Sequence, residues 1–277
     1  MMTKMRGPTE IALGLGLFLG LSGGAYGHDP VFGPGPHVLF EGGTEIHTEF
    51  HRSERGDDTE NEAAIALKYG LTGDWVVGLE LPYQFVKESG ERNDGVGDIT
   101  FSTKYRFWRH DTLGVQESMA ALLKVKPDSS NSGGTPSLGS GSSDTVAGLT
   151  YGYESLKWYR WASLRYRYNG KTDEGLHRGD KLLVDLAGGI RLTPPNYWKP
   201  DTVWFLELNG EIDERAELDG RKLSNSGGQE WFFSPGVMWT VRNFAVKAGV
   251  QLPLMSDLNG DQDESDYRAR LEFEWHL

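Results

Sequence analysis

Apolar and polar positions alternate with a period of two at the end of the chain. In the stretch from Tyr267 to Leu277, Tyr267, Ala269, Leu271, Phe273, Trp275 and Leu277 form one face, and Arg268, Arg270, Glu272, Glu274 and His276 form the other. A period of two over this length is a strand with one dry face and one ionised face. A soluble sandwich rarely gathers that many charged side chains on a single strand face. The pattern predicts a strand that closes a membrane-spanning barrel.

The same alternation recurs over residues 44–51, 63–71, 75–86, 98–108, 119–126, 145–153, 162–169, 181–192, 203–213, 231–240, 244–254 and 267–277, giving twelve segments. Most approach the ~9–11 residues that a tilted membrane strand needs. An even number suits a single-chain bacterial barrel. The connections sort by parity. Long polar stretches (52–62, 87–97, 127–144, 170–180, 214–230, 255–266) follow odd segments, and mostly short turns (72–74, 109–112, 154–161, 241–243) follow even ones. The proline-rich stretch 193–202 is the exception. Long loops at one end and short turns at the other are expected of a barrel inserted from the periplasm. The predicted class is all-β, a transmembrane antiparallel up-and-down β-barrel of about twelve strands.

Faces follow from the alternation. Trp75, Val77, Leu79, Leu81, Tyr83 and Phe85 are assigned to lipid, with Glu80 and Gln84 inward; Phe101, Tyr105 and Phe107 point out, with Asp98, Lys104 and Arg106 inward. A lysine or arginine on the lipid face costs ~2–4 kcal/mol at mid-bilayer, so the charges belong in the lumen. The predicted lumen-lining set is Glu45, His47, Glu49, His51, Glu80, Asp98, Lys104, Arg106, Lys124, Arg165, Arg167, Glu207, Glu211, Lys247, Arg270, Glu272, Glu274 and His276. Acids concentrate on the first, ninth and last segments, and bases on the fourth, fifth and seventh. Two readings stay open: a field across a pore that orients solutes, or a salt-bridge lattice that fills a small barrel.

The N-terminal region changes the picture only at the start. Lys4 and Arg6, an apolar run over 11–21 and the small residues before His28 read as an export signal over residues 1–27. Its apolar core is about half of the ~20 residues needed to span a bilayer. Residues 28–43, rich in Pro and Gly, read as a periplasmic lead-in under or inside the barrel mouth, with the barrel over 44–277. The mean hydropathy is negative, which excludes a bundle of membrane helices. A formal charge of −12 argues against nucleic acid as a partner. The absence of cysteine suits an oxidising compartment and excludes thiolate chemistry. Nine Trp, eleven Tyr and twelve Phe supply rings for two membrane–water interfaces.

Metal candidates are weak. His47 and His51 share a face with carboxylates, but residues four apart on a strand lie ~13 Å apart. His28 would carry a chelating free amine if cleavage follows Gly27. Asp257, Asn259 and Asp261 alternate like a calcium loop, yet the position that needs a bidentate Glu is Arg268. No cofactor or nucleotide motif falls outside the export signal, and no Ser–His–Asp set shares an outward face.

Leu79-Glu-Leu-Pro-Tyr83, Gly95-Val-Gly-Asp-Ile99 leading into Lys104-Tyr-Arg-Phe-Trp108, Ser234-Pro-Gly236 and Gly249-Val-Gln-Leu-Pro-Leu254 resemble an outer-membrane β-barrel family, the meta-pathway phenol-degradation transporters. The likeness runs from about Phe40 to Leu277, and the aromatic C-terminal strand resembles the signal read by the barrel-assembly machinery. The resemblance implies a bacterial outer-membrane location, lipid and small solutes as partners, and no catalytic residues. The expected function is a passive, porin-like channel for small solutes, aromatic ones among them. The alternatives are a closed-lumen barrel acting as a surface or metal-linked module, or an outer-membrane lipid enzyme.

Overall fold

The computed structural model describes residues 29–130, 134–194 and 199–277. The expected export signal and His28 lie outside the described residues. Twelve long strands follow one another: β1 (Thr44–Arg55), β2 (Asp58–Thr72), β3 (Trp75–Glu88), β4 (Thr100–Thr112), β5 (Val115–Lys126), β6 (Asp144–Ser155), β7 (Trp158–Tyr168), β8 (Lys181–Arg191), β9 (Asp201–Asp213), β10 (Gly228–Val241), β11 (Phe244–Leu258) and β12 (Ser265–His276).

Each strand pairs antiparallel with the next, and the ring closes between β12 and β1. Glu45 lies opposite His276, Thr48 opposite Phe273 and Arg52 opposite Ala269. At the seam Thr44 donates to the Leu277 carbonyl at 3.2 Å and Leu277 donates back at 2.8 Å. No long barrel edge is left to pair with another chain. The closure is the one that the alternation in Tyr267–Leu277 requires.

Strands of 11 to 15 residues exceed what the bilayer needs and project beyond it at the long-loop end. A short strand, Glu91–Val96, extends β3 as a hairpin there, and Leu176–His177, Glu217–Leu218 and Arg221–Lys222 form a small separate sheet. The opposite end has two-residue turns at 73–74, 113–114, 156–157 and 242–243. Two expectations are corrected here. The predicted loop 52–62 is a continuous hairpin with a tight turn at 56–57, where Gly56 takes a positive φ of 55°. The predicted turn 154–161 shrinks to 156–157, so Tyr159 and Trp161 belong to β7.

The outer surface is an apolar belt carrying exposed Leu79, Leu81, Leu149, Leu164, Leu186 and Leu206. Trp75, Trp108, Trp158, Trp204, Trp239 and Trp275 sit near the short-turn ends of their strands, also exposed. These rings mark one water–lipid interface, and Tyr83, Phe85, Tyr166 and Tyr168 mark the other. A surface so apolar is tolerable only against lipid.

Residues 29–39 run inside the barrel, and Phe40, Glu41 and Gly42 are exposed. Val31, 1% exposed, packs among Tyr159, Trp161, Val203, Phe205 and Met238. The segment leaves by the short-turn rim, where Gly42 donates to the Gly70 carbonyl at 2.8 Å and Gly70 donates to Gly43 at 2.9 Å. A Cβ on Gly70 would lie 2.0 Å from the Phe40 carbonyl oxygen, so this crossing requires glycine.

Candidate functional site: the lumen

The lead-in is fixed by charged groups from the barrel wall. The Glu207 carboxylate accepts the backbone N–H groups of Val31 at 2.7 Å, Phe32 at 3.2 Å and Gly33 at 3.1 Å. Arg270 donates to the Val31 carbonyl at 2.9 Å, and Lys104 to the Asp29 carboxylate at 2.7 Å. His37 bonds Glu154, which also accepts from Trp161 Nε1 at 3.1 Å. Burial works against the Asp29 carboxylate, but Lys104 and the other nearby cations outweigh it and hold the carboxyl below its usual range. Burial also works against a charged His37, yet the Glu154 carboxylate beside it raises the imidazole above its ordinary value.

Most of the inward charges are neutralised close to home. Glu45 pairs with Lys68 at 2.6 Å, and its other oxygen lies 3.5 Å from His276. Lys247 bridges Glu272 at 2.6 Å and Glu274 at 2.8 Å. Glu49 meets Arg270 at 3.0 Å, and His51 faces Arg270 in the register. Glu211 is held by Lys181 at 2.8 Å and Arg268 at 2.5 Å. Arg165 pairs with Asp185 at 2.6 Å. Arg106 turns to Asp74 at the short-turn rim. The acids on the first, ninth and last strands are therefore locally cancelled, which favours the salt-bridge lattice, of the two open readings, on that part of the wall.

Asp98 lines the space under the long loops from outside the strands. It lies before β4 in the long connection from β3, where it accepts from the amides of Ser129 (2.9 Å), Ser130 (2.8 Å) and Ser140 (2.9 Å) and from Lys126 (2.7 Å). Burial opposes the charge, but Lys126 and the three amides hold this carboxyl well below the usual range. Asp98 clamps an outer loop to the barrel mouth.

Among the described residues, an inner and an outer cavity open within the lumen. The inner one, about 260 Å³, runs beside the lead-in and is lined by Phe32, His37, Leu39, Val76, Lys104 and Leu183 among others. The outer one, about 580 Å³, lies under the long loops and is lined by Glu60, Glu62, Gln84, Lys126 and Asp144 among others. Glu80, Lys124, Val146 and Arg167 line both, so the two cavities adjoin there. The lead-in packs on the β7–β10 side and leaves the β2–β5 side to the inner cavity.

Eight cations line these cavities, and six are ion-paired: Lys68, Lys104, Lys126, Arg165, Arg178 and Lys247. Among the described residues, Lys124 and Arg167 have no carboxylate within ion-pair distance. On the acidic side, Glu80 and Glu60 likewise have no ion-pair partner among the described residues, and Glu62 accepts from Gln84 at 3.0 Å.

Two groups bring His and carboxylate ligand atoms within 4.8 Å: Glu45, His47 and Glu274, and His47, Glu49 and Glu272. His51, Asp257 and Asp261 belong to neither. Asn259 accepts from Arg215 and donates to Ser226 in the outer loops. The carboxylates around His47 already hold Lys68, Lys247 and Arg270, which supply the positive charge that a metal ion would bring.

The aromatic cluster around Val31 escaped the sequence. Tyr159 and Trp161 point inward while Arg160 points out and lies over Tyr153. That inverts the usual apolar-out rule, because these rings face the lead-in and not water. Phe205 alternates with exposed Trp204 and faces inward against Val31.

A closed twelve-stranded barrel with an apolar belt, aromatic girdles and a charged lumen is an outer-membrane β-barrel. The family model described as "Putative MetA-pathway of phenol degradation" matches residues 27–203, and the chain belongs to that family. It is similar in fold to an outer membrane channel from Pseudomonas putida F1, with a TM-score of 0.73 and 14% identity over 87% of this chain and 98% of that one. It is also similar to the NanC porin, with a TM-score of 0.54 and 9% identity over 84% of this chain and all of that one (100%). No curated protein matches the chain in sequence.

Proposed function

We propose that this barrel is a passive channel for small polar or charged solutes and performs no chemical step. The observation that carries the reading is the pair of cavities stacked along the lumen, which adjoin at Glu80, Lys124, Val146 and Arg167. A lumen filled by a rigid lattice would not keep space on that scale along one wall. In the outer half Glu60, Glu62 and Glu80 occupy the arc of β2 and β3, while Lys124 and Arg167 occupy that of β5 and β7. Separated signs in a narrow, water-filled passage orient dipolar solutes. The relatives' descriptions as channel and porin support the same reading. The family's tie to phenol degradation keeps small aromatic compounds among the solutes to test.

A closed barrel is the second reading, favoured by the ties of the lead-in to Glu207, Arg270 and Lys104. Liposome swelling with purified protein separates the two. Entry of small sugars, amino acids and phenols at rates falling with solute size supports the channel. No entry of any of them, with the barrel folded, removes it.

A further inference from the structure

We propose that Lys124 and Arg167 form a binding subsite for the carboxylate of a small organic acid whose apolar body rests on the inner cavity wall. The proposal deepens the channel reading by naming a solute class, and it rests on that reading for its purpose though not for its binding test. Three observations carry it.

The first is the pattern of neutralisation. The lumen compensates every other cation along these cavities with a carboxylate, often at under 3 Å, as in Lys247 with Glu272 (2.6 Å) and Arg165 with Asp185 (2.6 Å). Lys124 and Arg167 are both exposed to the lumen and, among the described residues, hold no carboxylate at ion-pair distance, so both are available to an entering anion. The second is their position. Lys124 and Arg167 are both register partners of Val146, one on each side. Three neighbouring strands therefore put their Cα atoms roughly 10 Å apart at one level, with Val146 between them. Two long side chains anchored at that spacing can converge on one carboxylate, Arg167 as a planar fork and Lys124 as a point charge.

The third is what adjoins the pair. Going inward, the cavity wall includes Val76, Leu122 and Leu183, and Phe32 of the lead-in. These give an apolar floor beside a cationic rim. An inorganic anion would use only the rim, whereas an acid with a hydrocarbon body uses both. The nearby Arg165 stays occupied by Asp185, so it keeps the pair from being a diffuse basic patch.

The test uses the full chain, purified and folded in detergent, and titrates hexanoate, hexanamide and hexylammonium by calorimetry, with ion conductance recorded in parallel in planar bilayers. Hexanoate is expected to bind at least roughly tenfold more tightly than the other two, the scale of one charge-assisted hydrogen bond. Butyrate should bind more weakly than hexanoate. The Lys124→Gln/Arg167→Gln variant should lose that preference, while Arg160→Gln, on the outer face, should keep it. Equal binding of hexanoate and hexanamide to the unaltered chain overturns the proposal, whether or not the double variant folds. Retention of the preference in a folded double variant overturns it as well. Conductance without hexanoate binding sinks the subsite and leaves the channel; hexanoate binding without conductance keeps the subsite and removes the channel.

Discussion

The Glu207 carboxylate on β9 accepts the backbone N–H of Val31 at 2.7 Å, across 176 positions of sequence. The same carboxylate takes the N–H groups of Phe32 and Gly33, so one side chain fixes the course of the lead-in through the lumen. Glu207 is 1% exposed. Three donors aimed at one buried carboxylate make the contact strong enough to hold a segment that has no sheet of its own.

Replacing that carboxylate should free the segment without opening the barrel. Glu207→Ala is expected to weaken lead-in docking by on the order of 2–4 kcal/mol, since it leaves several buried donors unpaired. Protease cleavage within residues 29–39 should rise sharply while the strand signal in circular dichroism stays unchanged. Unaltered cleavage would show that the apolar packing of Val31 alone fixes the segment.

The two faces of the wall should respond oppositely to charge. Leu186→Arg, in mid-strand on the lipid side, is expected to cost ~2–4 kcal/mol. Gln84→Arg, in the outer cavity, should cost less than about 1 kcal/mol. Equilibrium unfolding in urea from lipid vesicles measures both. Equal costs would contradict the assignment of faces.

Docking of the lead-in should weaken as the solution becomes alkaline. His37 has its protonation midpoint raised in the folded chain, so its pairing with Glu154 is fully present below the ordinary imidazole value, near 6.5, and is lost as pH rises through the higher folded value. Current noise or protease access to the lead-in is expected to grow with pH above neutrality. His37→Gln should remove that dependence. A flat profile in the unaltered chain would exclude this imidazole as an anchor.

The outer loop should depend on Asp98 in the opposite sense. Its carboxyl is held below the usual range, so its contribution is present above the ordinary carboxylate value and fades only as pH falls through the lower folded one. Asp98→Asn should loosen the backbone at Ser129, Ser130 and Ser140 by about 1–3 kcal/mol at neutral pH. Faster amide hydrogen exchange in that loop, with strand protection unchanged, is the expected result. Unchanged exchange would mean that Asp98 does not hold the loop.

Alternation carried most of the fold because each barrel strand meets two solvents, and the side chains record both. Trp75 to Phe85 and Phe244 to Leu252 are legible for that reason. The record fails where the inner surroundings are not water. Tyr159 and Trp161 face Val31, so apolar residues stand on both faces of β7 at its start and the strand looked like a turn. It also fails for pairing: Lys247 with Glu272 and Glu49 with Arg270 are neighbours only once the strands are in register. That Lys124 and Arg167 lack a carboxylate at ion-pair distance likewise depends on the register and is not written in either strand alone.

Single-channel current across a planar bilayer tests the central claim most directly, using the full chain beside one lacking residues 29–39. Small, stepwise conductance is expected from the full chain and a larger step from the shortened one, because the lead-in narrows a lumen that stays open along β2–β5. Folded barrels that pass no current in either form would contradict it.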